Sequence, residues 1–183
     1  MLNIRPATNE DRDVIWNIFH EVVVAGDAYA FDPGMSREEA FAYWFGADTH
    51  TYIAENDRRV VGTYILRANQ AGLGAHVANA AYMVAKDARG FRVGRKMAEH
   101  SLSEARRLGF RAMQFNFVVS TNASAIHLWQ QLGFKIVGTC RAHFVIPRRA
   151  MSMFMSCFAP YCSRASVRRV HTSHSDVATT DGL

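Results

Sequence analysis

Residues 82–97 of this 183-residue chain put Arg89, Arg92 and Arg95 together with Gly90 and Gly94 in one short turn. An apolar run, Ala75 to Val84, leads into the turn, and an amphipathic stretch with helical spacing, Phe91 to Leu108, leads out of it. The first N–H groups of a helix have no intrahelical partner and lie at the positive end of its dipole. A strand–turn–helix of this kind can therefore cradle phosphate. Glycines let the backbone approach a bulky pyrophosphate with no Cβ in the way, and the arginines add positive charge. A glycine pair alone is a weak signal, because a plain strand–turn–helix produces it too.

A second candidate group is uncharged. Asn79 falls on the run that feeds the turn, and Asn116 falls on the next strand-like run, Phe110 to Val119. Asparagine is disfavoured in strands, and a buried amide is costly unless paired. The two are either hydrogen-bonded groups within a sheet or side chains that orient an amine and polarise a carbonyl, since an amide both donates and accepts. His20 and His100 fall on helical runs and read as surface or packing histidines; His76 opens a strand and is a weaker candidate for a base, and His127 is a candidate to face the far side of the turn. Cys140, Cys157 and Cys162 lack metal-ligand spacing and read as incidental thiols.

These residues need a scaffold. Leu2 to Pro6 alternates as a strand, and Thr8 or Asn9 can cap a helix with an apolar stripe from Val14 to Val23. Ser36 with Glu39 forms a capping-box pattern for a second helix that ends near Tyr43 and Trp44. Thr51 to Glu55 and Arg59 to Arg67 read as a hairpin turning at Asn56-Asp57-Arg58. Gly109 follows the long helix as its C-terminal stop. Asn122 to Leu132 is a last helix, stopped by Gly133, and Phe134 to Thr139 is a short strand.

The length is that of one domain able to bury a core. A hydrophobic fraction of 49% and a charged fraction of 20% are ordinary for a globular chain. No apolar run reaches membrane-spanning length, and the N-terminus has no signal-peptide pattern. A cytoplasmic location is expected. The net charge of +5 is concentrated after residue 139, so the body is near neutral and does not argue for nucleic acid.

The turn is followed by Asn122-Ala123-Ser124-Ala125 and by Leu128-Trp129-Gln130-Gln131-Leu132-Gly133-Phe134. Together these resemble the GNAT superfamily of acetyl-CoA-dependent N-acetyltransferases. The resemblance covers residues 1 to about 139 and departs at Arg92, where the family usually has glycine. It implies an α/β fold, with a mostly antiparallel mixed sheet splayed in the middle and flanked by helices. It implies that Met83 and Val84 hold the pantetheine and acetyl carbonyl through their amides. The loop Arg89, Gly90, Phe91, Arg92, Val93, Gly94 and Arg95 would hold the pyrophosphate, and Asn122 would bind the cofactor from the far side. The family's usual acid is a tyrosine where this chain has Trp129, and its usual basic carboxylate is absent from the Ala75–Val84 strand.

Asn79, Asn116 and Asn122, with Asp27 and Tyr29 in the first loop, look like the branch that acetylates proline analogues such as azetidine-2-carboxylate. That resemblance makes Asn79 and Asn116 catalytic, and Asp27, Tyr29, Asn79 and Asn116 substrate-binding. Asp32 and Trp44 would lie near the acceptor mouth. The expected reaction moves acetyl to the amine of a small amino or imino acid by direct attack in a ternary complex. Other acceptors, such as an aminoglycoside, polyamine or protein N-terminus, stay open, as does a CoA-binding protein without activity. Acetyl-CoA is the expected co-substrate, with no metal, nucleic acid or membrane partner, and a homodimer is the candidate assembly.

Residues 140–183 read as an atypical basic tail outside the 1–139 domain. Read one nucleotide earlier, Met151, Met153 and Met155 all become valine, in a Val-x-Val-x-Val strand that resembles the family's normal C-terminus. A frameshift at or just before Cys140 is therefore expected. It would remove the last strand, expose a sheet edge and leave residues beyond about 160 disordered.

Overall fold

A computed structural model describes residues 1–146 and 149–158, with side chains through residue 139. The strands are β1 (Leu2–Pro6), β2 (His50–Asn56), β3 (Arg59–Ala68), β4 (Val77–Val84), β5 (Ala112–Val119), β6 (Lys135–Ile146) and β7 (Arg149–Phe158). The helices are α1 (Arg12–Ala25), α2 (Arg37–Trp44), α3 (Val93–Arg107) and α4 (Ala123–Gln131). The sheet order is β1-β2-β3-β4-β5-β7-β6. Every neighbouring pair is antiparallel except β4–β5. The expected mixed α/β sheet flanked by helices is the fold found.

The local signals act as physical chemistry requires. Ser36 and Glu39 form a reciprocal capping box that starts α2. Asp57 and Arg58 both take positive φ, which gives the β2–β3 hairpin a two-residue turn matched to strand twist. Gly109, at φ +86°, ends α3.

The strand alternation divides the core into two layers. Tyr64 stacks on Tyr82 and its hydroxyl meets His100 of α3 at 2.7 Å, so these residues face α3. The opposite face carries Thr63, whose hydroxyl accepts from the Trp44 indole at 3.0 Å and donates to the Tyr52 carbonyl at 2.9 Å. Trp44 is 0% exposed and meets Phe19 edge-on. It is a core residue, not part of an acceptor mouth, because its polar atom is spent on a buried threonine.

The expectation of a missing last strand is corrected. β7 pairs antiparallel with both β5 and β6, so β5 is not an open edge. A ladder needs backbone groups and side chains that alternate, and 151–156 alternates whatever its composition. β6 also runs through residue 140, so the sheet continues past the expected boundary. The residues expected to be disordered beyond about 160 lie outside the described ones. Among the described residues, no helix is long and apolar enough to cross a membrane.

One ion pair fastens the start of the chain. Asp11 is 5% exposed and accepts from two Arg5 guanidinium nitrogens at 2.8 and 3.0 Å, and from the Thr8 N–H at 2.7 Å. The Arg5 hydrogen bonds hold its pKa below the usual carboxylate value, against the opposing effect of burial. A lowered folded pKa contributes stability above the unfolded value and loses it as pH falls through the folded one. Asp11→Asn is therefore expected to cost about 2 kcal/mol at pH 7 and to flatten the loss of stability below about pH 4. Denaturant melts across that range check both effects.

Candidate functional site

β4 and β5 are paired only at Val77↔Ala112 and Ala78↔Met113, and then they part. The gap opens into a cleft of 830 Å³. It is lined by Tyr82, Met83 and Val84 from β4, by Arg89, Gly90 and Arg92 to Arg95, and by Asn122 and Trp129. Asp27 and Tyr29 close it from the loop after α1. Most of the residues expected to meet a coenzyme and its acceptor thus share one cleft. Phe91 is the exception in the turn: it is 77% exposed and is not among the lining residues.

The turn is built to present amides. The first helical bond of α3 runs from Lys96 N–H to the Arg92 carbonyl at 3.1 Å. The N–H groups of Val93, Gly94 and Arg95 therefore precede the helical ladder and remain as donors. A Cβ on Gly94 would meet only Val84 Cγ2, at 3.9 Å, and the space on the cleft side is open. A phosphate group fits this donor set. The Arg95 side chain is bonded to Gln131 of α4 and to Glu99. It ties the two helices together across the cleft, and its backbone N–H is what it offers an anion.

Arg92 carries a cost that explains its oddity. It is the N-cap of α3 at φ +60°, a left-handed conformation that favours glycine. Arg92→Gly is expected to raise stability by up to about 1 kcal/mol. Thermal and urea melts check this, and an unchanged or lower midpoint contradicts it.

The direction of the β4 amides needs a correction. The Ala85 N–H reaches the Val61 carbonyl on β3 at 3.0 Å, whereas the Tyr82 N–H points to the gap. Alternation puts the Met83 amide on the β3 side and the Val84 amide in the gap. Val84 presents a donor there and Met83 does not, while the Tyr82 N–H is taken by the Tyr29 hydroxyl. The register on β3 fixes which amides face the gap.

Tyr29 occupies that edge. Its hydroxyl accepts from the Tyr82 N–H at 2.8 Å and donates to the Tyr82 carbonyl at 2.6 Å. Burial pushes its pKa well above the usual phenol value, so it stays protonated at neutral pH. The Tyr82 ring turns the other way, with its hydroxyl on Ser101 at 2.6 Å. Trp129 packs against Tyr82, Phe115 and Phe134 and forms an apolar wall.

The asparagines take distinct places. Asn79 donates to the Gln114 carbonyl at 2.9 Å, one step beyond the last β4–β5 pair. It bridges the strands where the ladder ends. Asn116 is exposed on the same face as Gln114, whose amide reaches it at 3.5 Å. Neither asparagine is among the residues that line the coenzyme cleft. Asn122 caps α4, accepting from the Ala125 N–H at 3.2 Å and the Ser124 hydroxyl at 3.0 Å. Asp32 accepts from the Gly34 N–H at 2.7 Å within its own loop.

A split central sheet with an amide-rimmed turn at the mouth of the split forms a cleft suited to a phosphate-bearing ligand. The chain belongs to the acetyltransferase (GNAT) family, whose model matches residues 15–134. A GCN5-related N-acetyltransferase from Kribbella flavida is 39% identical, with 86% of this chain and 97% of that one covered and a TM-score of 0.82. A protein described as an acetyltransferase from Salmonella typhimurium, solved with its cofactor acetyl-CoA, is 20% identical. Coverage there is 100% of this chain and 99% of the other, with a TM-score of 0.79, and at that identity the likeness is one of fold. The N-acetyltransferase aca1 of Schizosaccharomyces pombe is 28% identical over 129 residues, or 62% of each chain. This chain thus spans about 62% of the length of that curated relative. The Kribbella flavida and Schizosaccharomyces pombe relatives are both described as N-acetyltransferases.

Proposed function

We propose that this chain transfers acetyl from acetyl-CoA to the amine of a small amino or imino acid, as in the branch that acts on proline analogues. The observation that carries the reading is the neutral polar row Asn79, Gln114 and Asn116 on adjacent strands beside the split. Such amides offer both donors and acceptors to a small amino or imino acid.

Bound acetyl-CoA supplies an acyl group activated as a thioester. The amides of Val93, Gly94 and Arg95, with the charge of Arg89 and Arg92, bind its pyrophosphate. The Val84 N–H faces the gap and binds the pantetheine arm. Asn79 gives one amide N–H to Gln114, and its carbonyl oxygen accepts from the incoming amine. Asn116 orients the amine from the next strand. Tyr29 holds a proton at its hydroxyl beside the Tyr82 backbone, in a chain where Trp129 stands in the usual acid's place. Trp129 and Phe115 exclude water from the cleft.

An amine panel tests the acceptor. Turnover of small amino and imino acids, in preference to polyamines, aminoglycosides and peptide N-termini, supports the reading. Preference for any of the others overturns it. Acetyl-CoA binding without turnover of any amine would make the chain a CoA-binding protein, and the presence of β7 in the sheet weighs against that outcome.

A further inference from the structure

We propose that Arg67, on β3, is the anchor for the acceptor's carboxylate. The inference rests on the reading that the acceptor is a small amino or imino acid, and it names the residue that selects for one.

Arg67 and Asn79 are direct partners across the β3–β4 ladder. Directly opposed side chains share a face and stand about 5 Å apart at Cβ. That face is the one turned to α2, where the Arg67 guanidinium lies 4.2 Å from the centre of the Tyr43 ring. Arg67 is half-buried. The ion pairs among the described residues all engage other cations. A cation fixed over an aromatic ring, partly desolvated and without a counter-charge, is a site prepared for an anion.

Its surroundings define which anion. Asn79 gives one of its two amide N–H groups to Gln114, and its carbonyl oxygen accepts no hydrogen bond among the described residues. The Asn69 N–H continues the ladder to the Val77 carbonyl at 2.8 Å, so Asn69 falls on the Arg67 face. Its side-chain carbonyl is buried and has no partner. The face therefore offers one cation flanked by two acceptors. An α-amino acid carries its anion and its N–H donors a few ångströms apart, which is the scale of the spacing between adjacent strands. Its carboxylate meets Arg67 while its nitrogen meets Asn79. A polyamine or aminoglycoside brings only positive charge to this face and is repelled by Arg67.

The test uses acceptor pairs that differ only in the carboxylate: azetidine-2-carboxylate against azetidine, and proline against pyrrolidine. In Arg67→Met, kcat/KM for the carboxylate-bearing member is expected to fall roughly 10- to 100-fold, chiefly through KM. The carboxylate-free member is expected to change by less than about threefold. Calorimetric affinity for acetyl-CoA should be unchanged, and calorimetric binding of the imino acid to the CoA-loaded protein should weaken with KM. Arg67→Lys keeps the charge and should retain most of the selectivity, which covers the case in which Arg67→Met folds poorly. Equal losses for both members of a pair, or unchanged selectivity, would overturn the assignment. A wild-type protein that binds acetyl-CoA and prefers polyamines would instead overturn the acceptor reading, and Arg67 with it.

Discussion

Asn79→Ala is expected to turn over acceptor roughly 100-fold more slowly than the wild type, while its acetyl-CoA affinity stays within about twofold. Asn79 lies on the sheet face turned away from α3, outside the residues that line the coenzyme cleft. Its loss removes an acceptor for the incoming amine and leaves the amides of the α3 N-terminus untouched. The variant also leaves the Gln114 carbonyl without its donor at the point where β4 and β5 part. That costs about 1–2 kcal/mol of stability, so melts must accompany the kinetics. Calorimetry with acetyl-CoA and steady-state kinetics on the same preparation separate the two effects. Equal losses of affinity and turnover would mean that Asn79 acts by holding the split open, not by meeting the acceptor.

The largest expected effect on folding is at Trp44. Trp44→Ala should destabilise the protein by about 3–5 kcal/mol. The side chain is fully buried, meets Phe19 at 5.5 Å between ring centres and donates to Thr63 at 3.0 Å. The substitution leaves a cavity between α1, α2 and the sheet. At this chain length the midpoint should drop by roughly 10 °C or more. Trp44→Phe fills much of the volume and should recover about half of the loss. Scanning calorimetry decides the matter, and a shift of less than about 3 °C would show that the α2 packing is not a main support of the sheet.

What the sequence disclosed depended on how local each signal was. The Ser36–Glu39 cap, the Asp57-Arg58 turn and the Gly109 stop are set by neighbours in the chain, and all three were legible. The phosphate turn was legible for the same reason, and its odd residue, Arg92, acquired a physical meaning only with its φ of +60°. Trp44 was misplaced because an aromatic at a helix end can face either way until the helix packs. The Met83 amide was misplaced because residue identity does not record which way an N–H points; the register on β3 does. The two bonds of Tyr29 to Tyr82 span 53 positions in the chain, and no local pattern encodes them. The final strand formed despite an unusual composition because pairing depends on alternation. Arg67 escaped notice because a lone arginine in a strand carries no motif, and its partnership with Asn79 exists only in the ladder.

In the proposed function, the turn from Arg89 to Arg95 and the β4–β5 gap hold acetyl-CoA. Calorimetric titration of the full chain with acetyl-CoA tests it most directly. One saturable site with a Kd in the micromolar range, corresponding to roughly −7 to −8 kcal/mol, is expected. The absence of binding at millimolar acetyl-CoA would contradict it.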